Sequence, residues 1–278
     1  ASELAVNASN VSVNTPLKGA TVTVDGMEAS LRSTSDANGN FCLNPAPLGR
    51  FFVHIDGRTV TQGVPQGAYY PFVGKAWESV AGKQTNIGDV FLPLVPAGTL
   101  QSVSANQNTQ ITFPDSVVQQ HPDLQGVSIL VPANSLFSDD GSRGGKVGIA
   151  PVPPDRLPGK LPEGLEFPVV ITVQTDGAGN FDQPAPVCFP NLPDPNTGKK
   201  LDPGAKDALY SYNHDAGKWS VVGSMTVSAD GQVVCSDPGT GIQAPGWHGN
   251  GPPPKEPPPP PPPGKKPGAT KKKKKNRV

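Results

Sequence analysis

The chain has 278 residues, among them 35 prolines and 32 glycines but only 6% aromatics, and runs of helix-forming residues at helical spacing are missing. That composition excludes a helical bundle and predicts many short strands joined by turns. Charge sums to zero unevenly: 14 Lys and Arg stand against 22 Asp and Glu before Gly251, a net of −8, whereas 9 stand against 1 from Gly251 onward, a net of +8. The neutral total hides an acidic body and a basic tail. No apolar run reaches the roughly eighteen residues that a membrane span needs, so none is expected.

At this length two domains of ordinary size can each bury a core. The sequence begins Ala1-Ser2-Glu3 without Met, as a mature product does after a signal is removed, so an extracellular or cell-surface location is the expectation. Residues 1 to 14, ASELAVNASNVSVN, read as a detachable strand. Within them Asn7-Ala8-Ser9 and Asn10-Val11-Ser12 make Asn7 and Asn10 acceptors for N-linked glycan wherever a suitable transferase exists.

In GATVTVDG, Val22 and Val24 point to one face and Thr21 and Thr23 to the other, because side chains alternate along a strand. FFVHIDG and NIGDVFLPLV repeat the habit. Between the first two lies SLRSTSDANGNFCL, whose turn residues predict a hairpin with Asp36 accepting backbone amides and Gly39 at positive φ. A calcium loop is the competing reading, but Ca²⁺ takes about six to eight oxygen ligands. Only Asp36, Asn38 and Asn40 are at hand. A turn through Asp36, Asn38, Gly39 and Phe41 is therefore preferred, supported by a second element of similar spelling, Thr175 to Phe181.

The segments Leu17 to Val24, Ser33 to Phe41 and Pro47 to Val53 resemble, in order and spacing, the carboxypeptidase regulatory-like domain. The resemblance covers about the first third of the chain. It implies a transthyretin-like β-sandwich acting as an accessory or adhesive module without a peptidase centre, in which the Asp-x-Asn-Gly-x-Phe element is a turn whose Phe packs inward.

From residue 98, SVSANQNTQITFP, GVSILVP, KVGIAPVP, FPVVITVQ, APVCFP, ALYSYN, KWSVVGSMTVS and QVVCSD are strand candidates separated by Pro, Gly, Asn and Asp. At least seven strands predict a second sandwich. Turns are expected at Asp215 to Lys218 and at Ala229 to Gly231. Cys188 and Cys235 lie in strand-like runs of this region and could close a disulfide, free buried thiols being the alternative. Three cysteines make neither a scaffold nor a zinc knuckle.

VPANSLFSDDGSRGGKVGIAPVPPDRLP, LYSYNHDAGKWSVVGSMTVSADGQVV and DPGTGIQAPGWHG are similar to a β module of large bacterial surface and secreted proteins. In some of those it precedes rearrangement-hotspot repeats; this chain has no such repeats.

From Gly251 the chain turns to proline and lysine, predicting a stiff polyproline arm with Thr270 as an O-glycan acceptor. Stacking aromatics and a basic folded face are both missing, so nucleic acid is not expected as a partner. His54, His121, His214 and His248 share no metal-ligand spacing. Asp194, Asn196 and Asp202 could offer oxygens to calcium, but Lys199 and Lys200 oppose a cation. Trp247 reads as a packing anchor for the last loop. No catalytic residue, metal or cofactor is expected.

These readings give an all-β fold of two β-sandwich domains, residues 1–97 (transthyretin/prealbumin-like) and 98–248, with an extended Pro- and Lys-rich arm at 249–278. The expected function is that of a non-enzymatic extracellular structural protein, self-associating into a fibre or matrix through β-strand addition. The alternative is a carbohydrate-binding or adhesion module cut from a larger bacterial surface protein, with glycans as its partners. A hydrolase comes third.

Overall fold

The computed structural model describes residues 2–6, 12–138, 141–177 and 179–254. The glycan acceptors Asn7, Asn10 and Thr270 and the Pro- and Lys-rich arm lie outside these residues. The fold is all-β: the described residues hold one α-helix, and among them no helix is long and apolar enough to cross a membrane.

The first region contributes β1 (Ser2–Val6), β2 (Ser12–Pro16), β3 (Thr21–Val24), β4 (Arg32–Thr34), β5 (Gly49–Asp56), β6 (Phe72–Ser79) and β7 (Phe91–Pro93). An antiparallel sheet runs β4-β3-β5-β6, and a smaller one runs β2-β1-β7. Val22 and Val24 are buried and Thr21 and Thr23 half-buried, the alternation read from the sequence. The N-terminal segment is not one detachable strand but a hairpin, whose β1 lies antiparallel to β2 and parallel to β7.

The turn at Asp36 forms, but not the hairpin around it. β4 pairs with one edge of β3 and β5 with the other, while residues 41–48 run between them without strand structure. Pro45 and Pro47 explain this, since a proline has no N–H to give a ladder. Ser35 ties the entrance of the turn to the body: its buried hydroxyl donates to Leu17 O at 2.6 Å and accepts from the Ala20 N–H at 2.9 Å.

The second region contributes β8 (Gln101–Val103), β9 (Thr109–Thr112), α1 (Asp115–Gln120), β10 (Ser128–Val131), β11 (Leu136–Ser138), β12 (Gly145–Pro151), β13 (Val170–Thr175), β14 (Gly179–Phe181), β15 (Val187–Pro190), β16 (Lys206–Asn213), β17 (Lys218–Val227), β18 (Val233–Ser236) and β19 (Gly246–Gly251). Ten of these strands form one sheet in the order β8-β12-β13-β19-β16-β17-β18-β15-β10-β9, with every neighbouring pair antiparallel. Its ends approach one another, since the Gln101 side-chain amide donates to Thr112 O at 2.6 Å. The sheet is therefore nearly closed, a shape that leaves little edge exposed. Its interior is filled by residues such as Ile111, Ile129, Ile149, Ile171, Leu209 and Met225, each at most 1% exposed.

A second apolar cluster crosses from one region to the other. It joins Val22, Val53, Ile55, Val73 and Leu92 to Phe167, Tyr210, Tyr212, Trp219 and Trp247, which line the outer face of the curled sheet. The two regions thus share buried apolar surface along this seam, in addition to the interior core that the second region keeps to itself. Hydrogen bonds stitch the same seam: Lys75 Nζ donates to Pro158 O at 3.4 Å, and the Arg50 guanidinium donates to Asp215 O.

Candidate functional site

The Asp36 carboxylate accepts the backbone N–H groups of Asn38 and Asn40 at 2.8 and 2.9 Å, while the Gly39 N–H reaches Asp36 O at 3.0 Å. Gly39 has φ +75°, a conformation few residues but glycine adopt at low cost. The N–H bond from Asn40 is the largest influence and holds the Asp36 carboxyl below its ordinary value; burial opposes it, and the bond from Asn38 adds to the lowering. Phe41 is half-buried against the shared apolar cluster. A carboxylate oxygen engaged in this way closes a turn. Asp194 does the same with the N–H groups of Asn196 and Thr197, both at 2.8 Å.

The Thr175–Phe181 element, expected to be a second copy of the Asp36 turn, is built differently. The Asp176 carboxylate reaches across to the Lys146 N–H at 3.0 Å, and β14 pairs with β11 instead of folding back on β13. Similar spelling has produced a strand crossing between sheets here, because Lys146 offers Asp176 a donor on a neighbouring strand.

Cys188 and Cys235 occupy directly opposed positions on β15 and β18 and are joined by a disulfide; Cys42 is free and exposed. Among the described residues, the only cluster of potential metal ligands that includes a histidine is Asp25, Glu28 and His54, whose potential ligand atoms lie within 4.8 Å of one another. His54 Nε2 already bonds Asp25 Oδ1 at 3.2 Å, and both acidic residues are exposed. Glu28 in turn accepts the Gly26 N–H at 2.9 Å, so Asp25, Glu28 and His54 already have hydrogen-bond partners of their own. Chelation by EDTA is expected to leave the melting temperature unchanged, because bound metal would contribute folding free energy. A marked fall in a thermal scan would overturn the reading of both aspartate turns.

A cleft of about 910 Å³ lies between the segment 38–48 and the segment 79–89. Phe51 on β5 and Trp77 on β6 are register partners and form its floor. Asn38, Asn40 and Asn44 line one wall; Gln84, Thr85 and Asn86 line the other. The segments are far apart in sequence. Only the β5–β6 pairing brings them together, and the separate spellings of the two loops carry no signal of it.

A second, much smaller void of about 50 Å³ lies on the seam between Val73, Lys75, Phe91, Pro158, His214 and Trp247. Burial, with the nearby Lys75 charge second, pushes the His214 imidazole down to about 4. Burial does the same to His248, whose Nε2 lies 3.1 Å from Ala244 O. Asp207 moves the other way, raised by burial although Asn250 Nδ2 donates to it at 2.8 Å. His248, Asp207 and Asn250 lie in strands and His214 in the turn after β16, and none of them lines the cleft. Comparison with protein-family models, curated proteins and solved structures returns no match for this chain.

Proposed function

We propose that the chain is a non-enzymatic extracellular structural protein, a subunit that self-associates into a surface fibre or matrix through β-strand addition. The observation that carries this reading is the parallel seating of β1 on β7, over only three residue pairs from Ser2↔Phe91 to Leu4↔Pro93. A terminal hairpin held to its own body along one short edge is an element that neighbours can exchange. Pro16 ends β2, and Gly19 at φ +93° offers a hinge before the core resumes at Ala20. If each subunit lends its hairpin to the next, the contacts are head-to-tail and propagate instead of closing.

The finer architecture belongs to the same proposal: two β-sandwich modules, the first transthyretin-like. The facing four- and three-stranded sheets of the first region support one sandwich. In the second region the opposed walls of the nearly closed sheet, with apolar side chains between them, support the other.

Deleting residues 1–14 is expected to abolish filaments while the remaining chain keeps its fold. Deleting Lys271–Lys275 or adding salt should leave filaments intact, since exposed charges are screened beyond about 8 Å at physiological ionic strength and backbone pairing is not. Electron microscopy of the natural material and of the purified chain tests this. Monomers at high concentration, with no fibres at the source, would sink the polymer reading.

The second reading is a carbohydrate-binding or adhesion module. It is favoured by one specific observation, the amide-lined cleft above an aromatic floor.

A further inference from the structure

We infer that the cleft between segments 38–48 and 79–89 is a binding site for a neutral saccharide, an assignment that rests on the adhesion-module reading. The volume of about 910 Å³ falls within the roughly 300–1,000 Å³ typical of ligand sites. Its floor is built on paired strands, with Phe51 opposite Trp77, and strands hold side chains more precisely than loops do.

The lining chemistry selects the ligand class. Asn38, Asn44, Gln84 and Asn86 each present an amide that both donates and accepts, which matches the hydroxyl groups of a sugar ring. The charged lining is one lysine, Lys83, and one aspartate, Asp89. A phosphate or carboxylate would call for several cations, and a metal ion for several carboxylates; neither set is gathered here. An apolar ligand would strand the amides without partners, at a cost in unpaired polar groups. Among the described residues the side-chain amides of Asn44 and Gln84 make no hydrogen bond to protein, and both are exposed at the mouth.

At the floor, the Trp77 Nε1–H is buried without a hydrogen-bond partner. Lys75 Nζ sits 4.6 Å from the ring centroid of Trp77, and Phe51 supplies a second apolar surface beside it. An aromatic floor suits the C–H face of a pyranose ring.

The test is an NMR titration of the ¹⁵N-labelled full chain with neutral hexasaccharides of glucose, mannose, galactose and N-acetylglucosamine at millimolar concentration. At least one should move the backbone amides of 38–48 and 79–89 together with the Trp77 indole signal. The double variant Asn44→Ala, Gln84→Ala should weaken that binding by about tenfold or more, the loss of two hydrogen bonds. Unchanged signals elsewhere would establish that the variant is folded. Shifts that map outside the cleft, or binding that the variant leaves intact, would overturn the site while the adhesion reading stands. Silence with all four sugars would overturn both.

Discussion

Acidification from pH 7 to pH 4 is expected to remove several kcal/mol of stability, because two imidazoles are buried in their neutral form. Burial lowers His214 and His248 from 6.5 to about 4. For a base whose folded value is depressed, the unfolded chain takes up the proton first. The contribution is therefore complete above about pH 6.5, drains away as pH falls, and is gone near pH 4, where the folded state is protonated as well. A shift of this size corresponds to about 3 kcal/mol per histidine, as an upper figure. Lys75 and Asp215 face His214 with opposite effects, and His214 itself adds to the depression at His248. Asp207, raised by burial, works against the trend, since an acid with a raised folded value is favoured as pH falls. Asp237, held down to about 2 by the Thr226 and Ser224 hydroxyls and Lys206, acts in a lower window. Urea midpoints at pH 7, 5.5 and 4 measure the loss. His214→Gln should flatten the pH dependence, and a variant that keeps the wild-type slope would show that His214 is not its source.

Much of the second region could be read in the sequence because its strands alternate or run apolar. Each of the eight candidate runs from Ser102 to Asp237 holds part of a strand, and SVSANQNTQITFP holds parts of two, β8 and β9. Two strands that the sequence does not announce, β19 and β6, share a physical cause, glycine where alternation needs a side chain. β19 is GWHGNG, every residue of it buried, and it lies between β13 and β16 in the middle of the large sheet. Trp247 is thus not the anchor of a last loop but a residue of a central strand. Glycine is depleted in strands because it packs nothing of its own. Here the Phe167 ring occupies the missing side-chain space: a Cβ on Gly249 would stand 2.8 Å from Phe167 Cδ2, and one on Gly251 3.1 Å from Phe167 Cδ1.

β6 is hidden in the sequence for the same reason. Its FVGKAWES breaks alternation at Gly74, where a Cβ would stand 2.3 Å from Phe52 Cε1 on the paired strand β5. An aromatic ring on one strand thus stands in for a side chain on its neighbour, and no window of one strand alone displays that. The cleft inherits the difficulty, because its floor depends on the β5–β6 register. The Asp36 turn was legible because all its bonds are local. The path of the chain beyond it was not, because that depends on which edges of β3 are already taken.

Replacing Trp247 with alanine is expected to destabilise the whole chain by about 3–5 kcal/mol, the range for removing a large buried aromatic. For a chain of this size that corresponds to a fall of roughly 10 °C in Tm. Trp247 is 3% exposed, its ring centroid is 5.0 Å from that of His214, and it lines the seam void with Val73, Lys75 and Phe91 of the first region. The side chain projects from a central strand of one region onto strands of the other, so its loss opens a cavity in surface that both regions bury. Two modules with independent cores would unfold in two steps, only one of them sensitive to Trp247. The buried apolar seam shared by the two regions makes one cooperative transition the expected result for the wild type, and the variant should lower that transition as a unit. Calorimetry decides between them. Two resolved transitions, with the earlier unmoved by Trp247→Ala, would mean that the seam is a weak contact and that each region folds on its own.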